Sequence, residues 1–313
     1  MPELPDIEAY VEALRDRVVG QALQGVRLAS PFVLRTVEPP LAALAGGCVV
    51  DVERLGKRIV LRIMEPAAGA VSAYAGPRTE PLFLVIHLMI AGRLRWEEPG
   101  SAIPRGSGLA AFDFANGSLI LTEAGTKRRA SLHVVRGVDG LRVLDPGGID
   151  VFSSTGVQFA AAMRVKNQTL KRALTDSSVL SGIGNAYSDE ILHRARLSPF
   201  KQTRTLGDAE LARLRKATLE VLAEWRDRLR VQSGGRFPDK VTAFRPDMAV
   251  HGKFGRPCPV CGAAIQRIVY ADSECNYCPG CQTGGKVHAD RALSRLLKSD
   301  WPGASDVVGP DQA

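Results

Sequence analysis

The sequence predicts an α+β protein with two domains, the first built mainly from strands and the second mainly from helices. Three observations carry this prediction. Residues up to about 137 are dominated by short runs of Val, Ile, Leu and Phe with partial alternation, whereas the chain beyond residue 154 has helical spacing. Two Cys-x2-Cys pairs close together near the end predict a small metal-binding segment. With 313 residues, the chain is long enough for two separate cores.

The composition is that of a soluble globular protein with a basic surface. Hydrophobic residues make up 45% and charged residues 24% of the chain, and 41 Lys and Arg against 33 Asp and Glu give a net charge of +8. A basic excess favours a polyanionic partner, although many basic proteins bind none. No apolar run approaches the ~18 residues that cross a bilayer. Acidic residues also stand where a signal peptide would be basic, so we expect a cytoplasmic protein without membrane association.

The start of the chain allows two interpretations. Apolar residues recur at helical spacing between Ile7 and Val18, which predicts an amphipathic helix over 5–19. If Met1 is removed, Pro2 becomes a secondary amine with a pKa near ~8, able to attack an aldehyde-like carbon and form a Schiff base. Glu3 is then close enough to transfer protons. Alternatively, these residues merely begin the helix.

The next segment is predicted to be a β-sandwich or flattened barrel over residues 2–137. Strand-like runs occupy 47–64, 82–96, 109–115 and 118–123. Asn116-Gly117 lies between two of these runs and predicts a hairpin turn. Several strands without intervening helices favour packed sheets over a parallel α/β fold. The Ala/Gly/Pro-rich stretch 66–81 is predicted to be a loop, and residues 138–153 a linker between domains.

The second domain is predicted to span residues 154–249. Helical spacing predicts helices at 155–164, 168–175, 186–195 and 208–230, followed by a loop over 231–250. A Ser-Gly-Ile-Gly-Asn turn, Ser181–Asn185, precedes the third of these helices. Free N–H groups at a helix start can bind phosphate, but the same turn also suits a plain packing corner.

The cysteine pattern predicts one structural zinc ion in a segment spanning 250–282. Two Cys-x2-Cys knuckles separated by sixteen residues supply four thiolates, the usual ligands of a closed tetrahedral site. We prefer the pairs with a proline inside each knuckle, formed by Cys258, Cys261, Cys278 and Cys281. Cys275 is separated from Cys278 by two residues, so it forms a possible knuckle of its own and is a competing ligand. Residues 283–313 are predicted to hold a short basic helix at 288–299 and a disordered tail.

Taken in order, these features resemble the formamidopyrimidine-DNA glycosylase/endonuclease VIII family over residues 2–282. The motifs that carry the resemblance are PELPDIE, LGKR, HLMIAGRL, KNQTLKRALTD, SGIGNAYSDEILHRARLSP and CPVCG…YCPGCQ. The resemblance implies an N-terminal β-sandwich, a helix–two-turns–helix domain and a four-cysteine zinc ribbon. It also implies a monomeric enzyme of base excision repair that removes oxidised bases from double-stranded damaged DNA and then cuts the abasic strand by β- or β,δ-elimination.

The resemblance assigns roles to individual residues. Pro2 would be the Schiff-base nucleophile, Glu3 the proton donor and acceptor, and Lys57 the lysine that contacts phosphate at the lesion. The residues implied to contact DNA elsewhere are His87, Ile90 as an apolar wedge, Lys127, Arg128 and Asn185. The zinc ligands would be Cys258, Cys261, Cys278 and Cys281. Without the resemblance, a solvated strand lysine and a core histidine are the simpler interpretations of Lys57 and His87.

The sequence also departs from the family pattern. Ser273 stands where the ribbon usually carries an arginine that clamps phosphates, and the Arg-x-Phe pair of one subgroup is absent near Gly125–Arg129. The 231–250 loop is shorter than the loop that covers 8-oxoguanine in the bacterial enzymes. The preferred base therefore stays open. Two alternatives also stay open: a damaged-DNA-binding protein of the same fold without catalysis, and a zinc-ribbon scaffold unrelated to DNA.

Overall fold

The computed structural model describes residues 1–65, 80–125, 127–238, 241–242, 244–270 and 273–288, which fall into two units. The N-terminal unit comprises Met1–Pro146 and Trp225–Thr242. The C-terminal unit comprises Gly147–Glu224 and Ala243–Ala313. Among the described residues, no helix has the length and apolar character needed to cross a membrane.

The N-terminal unit is a helix followed by two four-stranded antiparallel sheets. Its elements are α1 (Leu4–Val18), β1 (Gly25–Leu28), β2 (Cys48–Leu55), β3 (Arg58–Met64), β4 (Leu82–His87), β5 (Gly92–Glu97), β6 (Gly108–Phe114), β7 (Gly117–Glu123) and β8 (Ser131–Arg136). The strand orders are β1-β6-β7-β5 and β2-β3-β4-β8, with antiparallel pairing throughout. The predicted strand runs and the α+β class are thus confirmed.

One hydrophobic core joins α1 to both sheets, because α1 and alternate strand positions all contribute fully buried side chains to it. Examples are Ile7 and Leu14 from α1, Leu61 from one sheet and Phe112 from the other. The predicted hairpin is present, with Phe114 paired to Gly117 across a tight turn. The turn is held to α1, since the side-chain amide of Asn116 donates to the Arg17 carbonyl at 2.8 Å.

The stretch predicted to be a linker begins with helix α2 (Gly137–Arg142), which follows directly on β8. Leu141 and Leu144 pack on the outer face of one sheet, against Phe83 and its buried neighbours Val60 and Val85. A linker buries no apolar surface, whereas this segment covers the apolar outer face of the sheet. As far as Pro146, it belongs to the N-terminal unit.

The C-terminal unit contains the predicted helices and a small ribbon. Its elements are α3 (Gly156–Arg164), α4 (Leu170–Thr175), α5 (Asn185–Arg194), α6 (Asp208–Ser233, grouped with this unit as far as Glu224), the hairpin strands β9 (Gln266–Tyr270) and β10 (Ser273–Tyr277), and α7 (Pro279–Gln282). Helix α6 runs three residues further than predicted, which shortens the expected 231–250 loop. The predictions for 66–79 and 289–313 lie outside the described residues.

Candidate functional site

The chain start is held by the first turn of α1. Pro2 and Glu3 are buried, and Glu3 is only 2% exposed. Glu3 and Asp6 form a reciprocal capping box, in which the Glu3 N–H donates to the Asp6 carboxylate at 2.9 Å and the Glu3 side chain accepts from the Asp6 N–H. The sequence Glu-Leu-Pro-Asp therefore both begins the helix and fixes the backbone next to Pro2.

The α-amino group lies among charged side chains. Burial lowers the pKa of the Met1 amine from its usual value, as do Arg93 and Lys57, while Glu3 and Asp6 act in the opposite direction. An amine in this place is less protonated at neutral pH than a free chain end, and carboxyl groups stand close to it. The fold thus brings the chain start, Glu3 and Lys57 together.

Lys57 and His87 lie at neighbouring strand ends. Lys57 follows Gly56, whose φ of 64° allows the tight turn between β2 and β3. His87 ends β4 and is paired directly with Arg58 on β3. Burial, together with Arg58, Lys57 and His133, lowers the pKa of His87 to about 4. His87 is therefore neutral at pH 7 and can exchange hydrogen bonds without adding positive charge.

Ile90 and the loop after β7 present exposed side chains. Ile90 is 53% exposed in the turn between β4 and β5, which makes it an apolar side chain available to a partner. Lys127 and Arg128 are exposed in a loop held by the buried carboxylate of Glu123, which accepts the Arg129 and Ala130 N–H groups at 2.9–3.0 Å. The Arg128 guanidinium donates to the Gly106 carbonyl. None of these described bonds reaches the Pro2–Glu3 group.

Asn185 is the first residue of α5, in the C-terminal unit. The preceding residue, Gly184, is the N-cap and offers no side chain, while Gly182 turns the chain with φ of 86°. The ammonium of Lys171 donates to the Asn185 carbonyl at 2.6 Å. A helix start with a lysine beside it is electropositive, as a phosphate site requires.

A buried polar network supports this helix start, and the motifs that contain Lys171 and Asp189 gave no indication of it. Asp189 is fully buried at its side chain and accepts from Lys171 Nζ at 2.6 Å, from His251 Nδ1 at 2.8 Å and from Asn276 Nδ2 at 3.2 Å. Its partners come from three distant segments, so local spacing could not reveal them. The available signal was a pair of adjacent acidic residues in the middle of a predicted helix.

Glu190, the other member of that acidic pair, holds the chain leading into the ribbon. Its carboxylate is 6% exposed and accepts the backbone N–H groups of Ala249, Val250 and His251 at 2.8–2.9 Å. Burial raises the pKa of Glu190, and the three N–H donors act against that shift. Consecutive residues of one helix therefore fix the ribbon's approach and the His251 side chain.

The four predicted metal ligands converge. Cys261 Sγ lies 3.3 Å from Cys278 Sγ, and Cys258 Sγ lies 3.9 Å from Cys281 Sγ. Four sulfur atoms bound tetrahedrally at about 2.3 Å from one zinc ion lie about 3.8 Å apart, so the donor set fits a single zinc. Hydrogen bonds from the Ala263 backbone and from Cys278 lower the pKa of Cys261 to about 7, which favours the thiolate.

Two further residues near the ribbon bear on the ligand set, one as the preferred knuckles predict and one that the sequence did not indicate. Cys275 is buried in β10 beside Asp189, where burial raises the pKa of its thiol, and among the described residues it does not belong to the group of possible ligands that converges. His193 of α5 instead approaches the cluster, with Nε2 3.3 Å from Cys258 Sγ. The ligating atoms of His193, Cys258, Cys278 and Cys281 lie within 4.8 Å of one another. Sequence spacing did not indicate His193, because it precedes the first cysteine by a long interval.

Comparison with known proteins gives matches over most of the chain. The formamidopyrimidine-DNA glycosylase N-terminal domain matches residues 1–129, and the H2TH domain of the same family matches residues 150–228. Formamidopyrimidine-DNA glycosylase of Thermus thermophilus is 32% identical over 299 residues, covering 91% of this chain and 100% of the relative. The chain belongs to the formamidopyrimidine-DNA glycosylase family.

Solved structures of the family agree with the fold. The crystal structure of the Thermus thermophilus protein superposes with a TM-score of 0.72 at 32% identity, covering 90% of this chain and 98% of that one. A Lactococcus lactis enzyme in complex with DNA containing Fapy-dG has a TM-score of 0.73 at 23% identity, covering 90% of this chain and 100% of that one, which supports the fold alone. An uncharacterised formamidopyrimidine-DNA glycosylase-like protein of Mycobacterium tuberculosis is 41% identical over 157 residues, or 50% of this chain and 96% of the relative.

The family matches divide the candidate residues into three groups. The N-terminal match contains Pro2, Glu3, Lys57, His87, Ile90, Lys127 and Arg128. The H2TH match contains Asn185 together with Lys171, Asp189 and His193. The four cysteines lie beyond both matched segments, so the case for the metal centre depends on their spacing and convergence.

Proposed function

We propose that this protein is a DNA glycosylase of base excision repair that removes oxidised bases from double-stranded DNA and then acts as a lyase on the abasic site. The observation that carries the proposal is the chain start, where Pro2 is buried next to Glu3 and the Met1 amine that precedes it lies among Glu3, Asp6, Arg93 and Lys57. Structures of family relatives hold DNA with Fapy-dG, with an abasic site or with an oxidised pyrimidine.

The amine supplies the covalent chemistry. After removal of Met1, the Pro2 nitrogen attacks C1′ of the damaged nucleotide, and the C1′–N bond to the base breaks as the base leaves with a proton. The nitrogen then loses its proton, the C1′–O4′ bond breaks as O4′ takes up a proton to become a hydroxyl, and an iminium forms between Pro2 and C1′. Abstraction of a C2′ proton then expels the 3′ phosphate, which cuts the strand. Glu3, whose carboxylate interacts with the amine of the chain start, would be the proton donor and acceptor.

DNA binding supports the reaction through phosphate contacts and base extrusion. The target nucleotide has to leave the duplex before C1′ can be attacked. Lys57, and Asn185 at the start of α5, would hold backbone phosphates, giving binding that is independent of sequence and sensitive to salt. Ile90 would enter the stack left by the extruded base, as apolar wedges do in other DNA-bending proteins. Neutral His87 would add a hydrogen bond.

The metal has a structural role in this proposal. Cys258, Cys261, Cys278 and Cys281 would hold one zinc ion and leave no open position for a substrate. Zinc supplies folding free energy to a ribbon whose own core consists of a few residues around Val250 and Ile265.

Borohydride trapping on DNA with an abasic site tests the proposal. The wild-type protein should give a covalent adduct, and Pro2→Gly or a form that retains Met1 should lose it while still binding DNA. Glu3→Gln should lose base excision, whereas Glu12→Gln, a change of the same chemistry further along α1, should not. A shifted DNA band without an adduct would instead favour a non-catalytic binder. If the protein gives neither an adduct nor a shifted band, a scaffold is favoured.

A further inference from the structure

Helix α5 contacts the sulfur cluster through one side chain. His193 is 7% exposed, and its Nε2 lies 3.3 Å from Cys258 Sγ. Besides the contacts between the sulfurs themselves, the other described hydrogen bonds to them come from the ribbon backbone: from Val260 to Cys258 and from Cys281 to Cys278, each at 3.4 Å, and from Ala263 to Cys261. His193 thus reaches the cluster from a different element, helix α5.

The geometry favours a hydrogen-bond donor over a fifth ligand. His193, Cys258, Cys278 and Cys281 lie close enough to hold one ion, so His193 and Cys261 compete for its fourth position. Cys261 interacts with all three other cysteine sulfurs and lies 3.3 Å from Cys278 Sγ, which favours four thiolates around one tetrahedral ion. Structural zinc sites are almost always four-coordinate, so four thiolates leave no position for the His193 ring. A 3.3 Å separation from Cys258 Sγ also suits an N–H···S contact, because sulfur is larger than oxygen.

We propose that His193 donates its Nε2–H to the Cys258 thiolate and thereby stabilises the zinc-loaded ribbon against the helix that begins at Asn185. Four thiolates around Zn²⁺ leave a net charge of −2, and Cys258 and Cys278 are almost fully buried. An N–H donor offsets part of the cost of burying that charge. The inference rests on the proposed zinc site and is independent of the glycosylase reaction.

Zinc affinity and ligand spectroscopy test this role. We compare wild type, His193→Phe, His193→Gln and His288→Phe, loaded with zinc and titrated with a competing chelator. Loss of an outer-shell donor typically weakens metal affinity about 10- to 100-fold, which is the expected effect of His193→Phe. Gln can place an amide N–H near the Nε2 position and should restore most of the affinity. His288 packs on Phe200 with ring centroids 4.6 Å apart, making it a control histidine near the ribbon, and its variant should match wild type.

Spectra of wild type make the test independent of variant folding. The cobalt-loaded protein should show an all-sulfur site, and nitrogen NMR of the cadmium-loaded protein should show Nε2 of His193 carrying a proton. A cobalt spectrum of three sulfurs and one nitrogen, or direct cadmium–Nε2 coupling, would make His193 a ligand and overturn the proposal. Unchanged affinity in His193→Phe would also overturn it. Purified protein that binds no metal would refute the zinc site itself.

Discussion

The substitution Asp189→Asn should destabilise the protein strongly, because it removes the charge that compensates a buried lysine. The carboxylate of Asp189 is fully buried and lies 2.6 Å from Lys171 Nζ, whose side chain is 14% exposed. Removing one partner of a buried ion pair leaves an uncompensated charge and costs about 3–5 kcal/mol. The loss should exceed this range slightly if His251 also loses its bond to Asp189 Oδ2.

The assay is equilibrium urea unfolding followed by far-UV circular dichroism, with Asp139→Asn as the matched control. Asp139 pairs with Arg142 at 2.7 Å, nearly the same separation, but the two side chains are 91% and 74% exposed. An exposed pair of this kind contributes about 0.2–1 kcal/mol. Asp189→Asn should therefore lower the free energy of unfolding several times more than Asp139→Asn does.

The double variant Lys171→Met/Asp189→Asn separates charge from packing. Removing the lysine charge as well should recover part of the stability, because the unpaired charge is the main cost. If Asp189→Asn is no more destabilising than Asp139→Asn, or if the double variant is less stable than Asp189→Asn alone, the reasoning about the buried charge is wrong.

Three further outcomes are expected. Cys275→Ser should retain zinc and Cys278→Ser should lose it by metal analysis, and the reverse result would make Cys275 the ligand. His87 should titrate near pH 4 by NMR, below its usual value of 6.5. Because the unfolded chain takes up the proton at a higher pH than the folded chain, the stability that neutral His87 contributes is complete above about pH 6.5 and is lost as pH falls towards 4. His87→Gln should therefore make the free energy of unfolding less dependent on pH over that window. Abasic, hydantoin or oxidised-pyrimidine sites should be cleaved faster than 8-oxoguanine opposite cytosine in single-turnover assays. The short 231–250 loop covers a large extruded purine less well, and poorly stacked lesions depend less on the absent Arg-x-Phe pair. The opposite preference would refute this reasoning from the loop and the absent pair.

The sequence by itself determined the class of fold and most of its elements. Alternation in the first part and helical spacing in the second are local patterns, so they predicted helices α3 to α6 within a few residues and four strand-like runs that contain β2 to β7. They did not separate β2 from β3 or β4 from β5. Asn116-Gly117 predicted its hairpin for the same reason, because turn geometry depends on adjacent residues. The knuckle spacing likewise singled out four cysteines before their convergence was known.

The tertiary structure alone decided which residues act together. Helix α2 was missed because six residues, two of them glycines, carry too weak a periodic signal, and their apolar side chains gain a partner only when Phe83 lies beneath them. Asp189, Glu190 and His193 lie in a family motif, but the motif does not reveal their contacts, because all their partners except Lys171 lie 59 residues or more away along the chain. Burial and long-range pairing set these contacts and also set the pKa of His87. These contacts and this pKa shift depend on which segments pack together, and the spacing of residues along the chain does not reveal which segments those are.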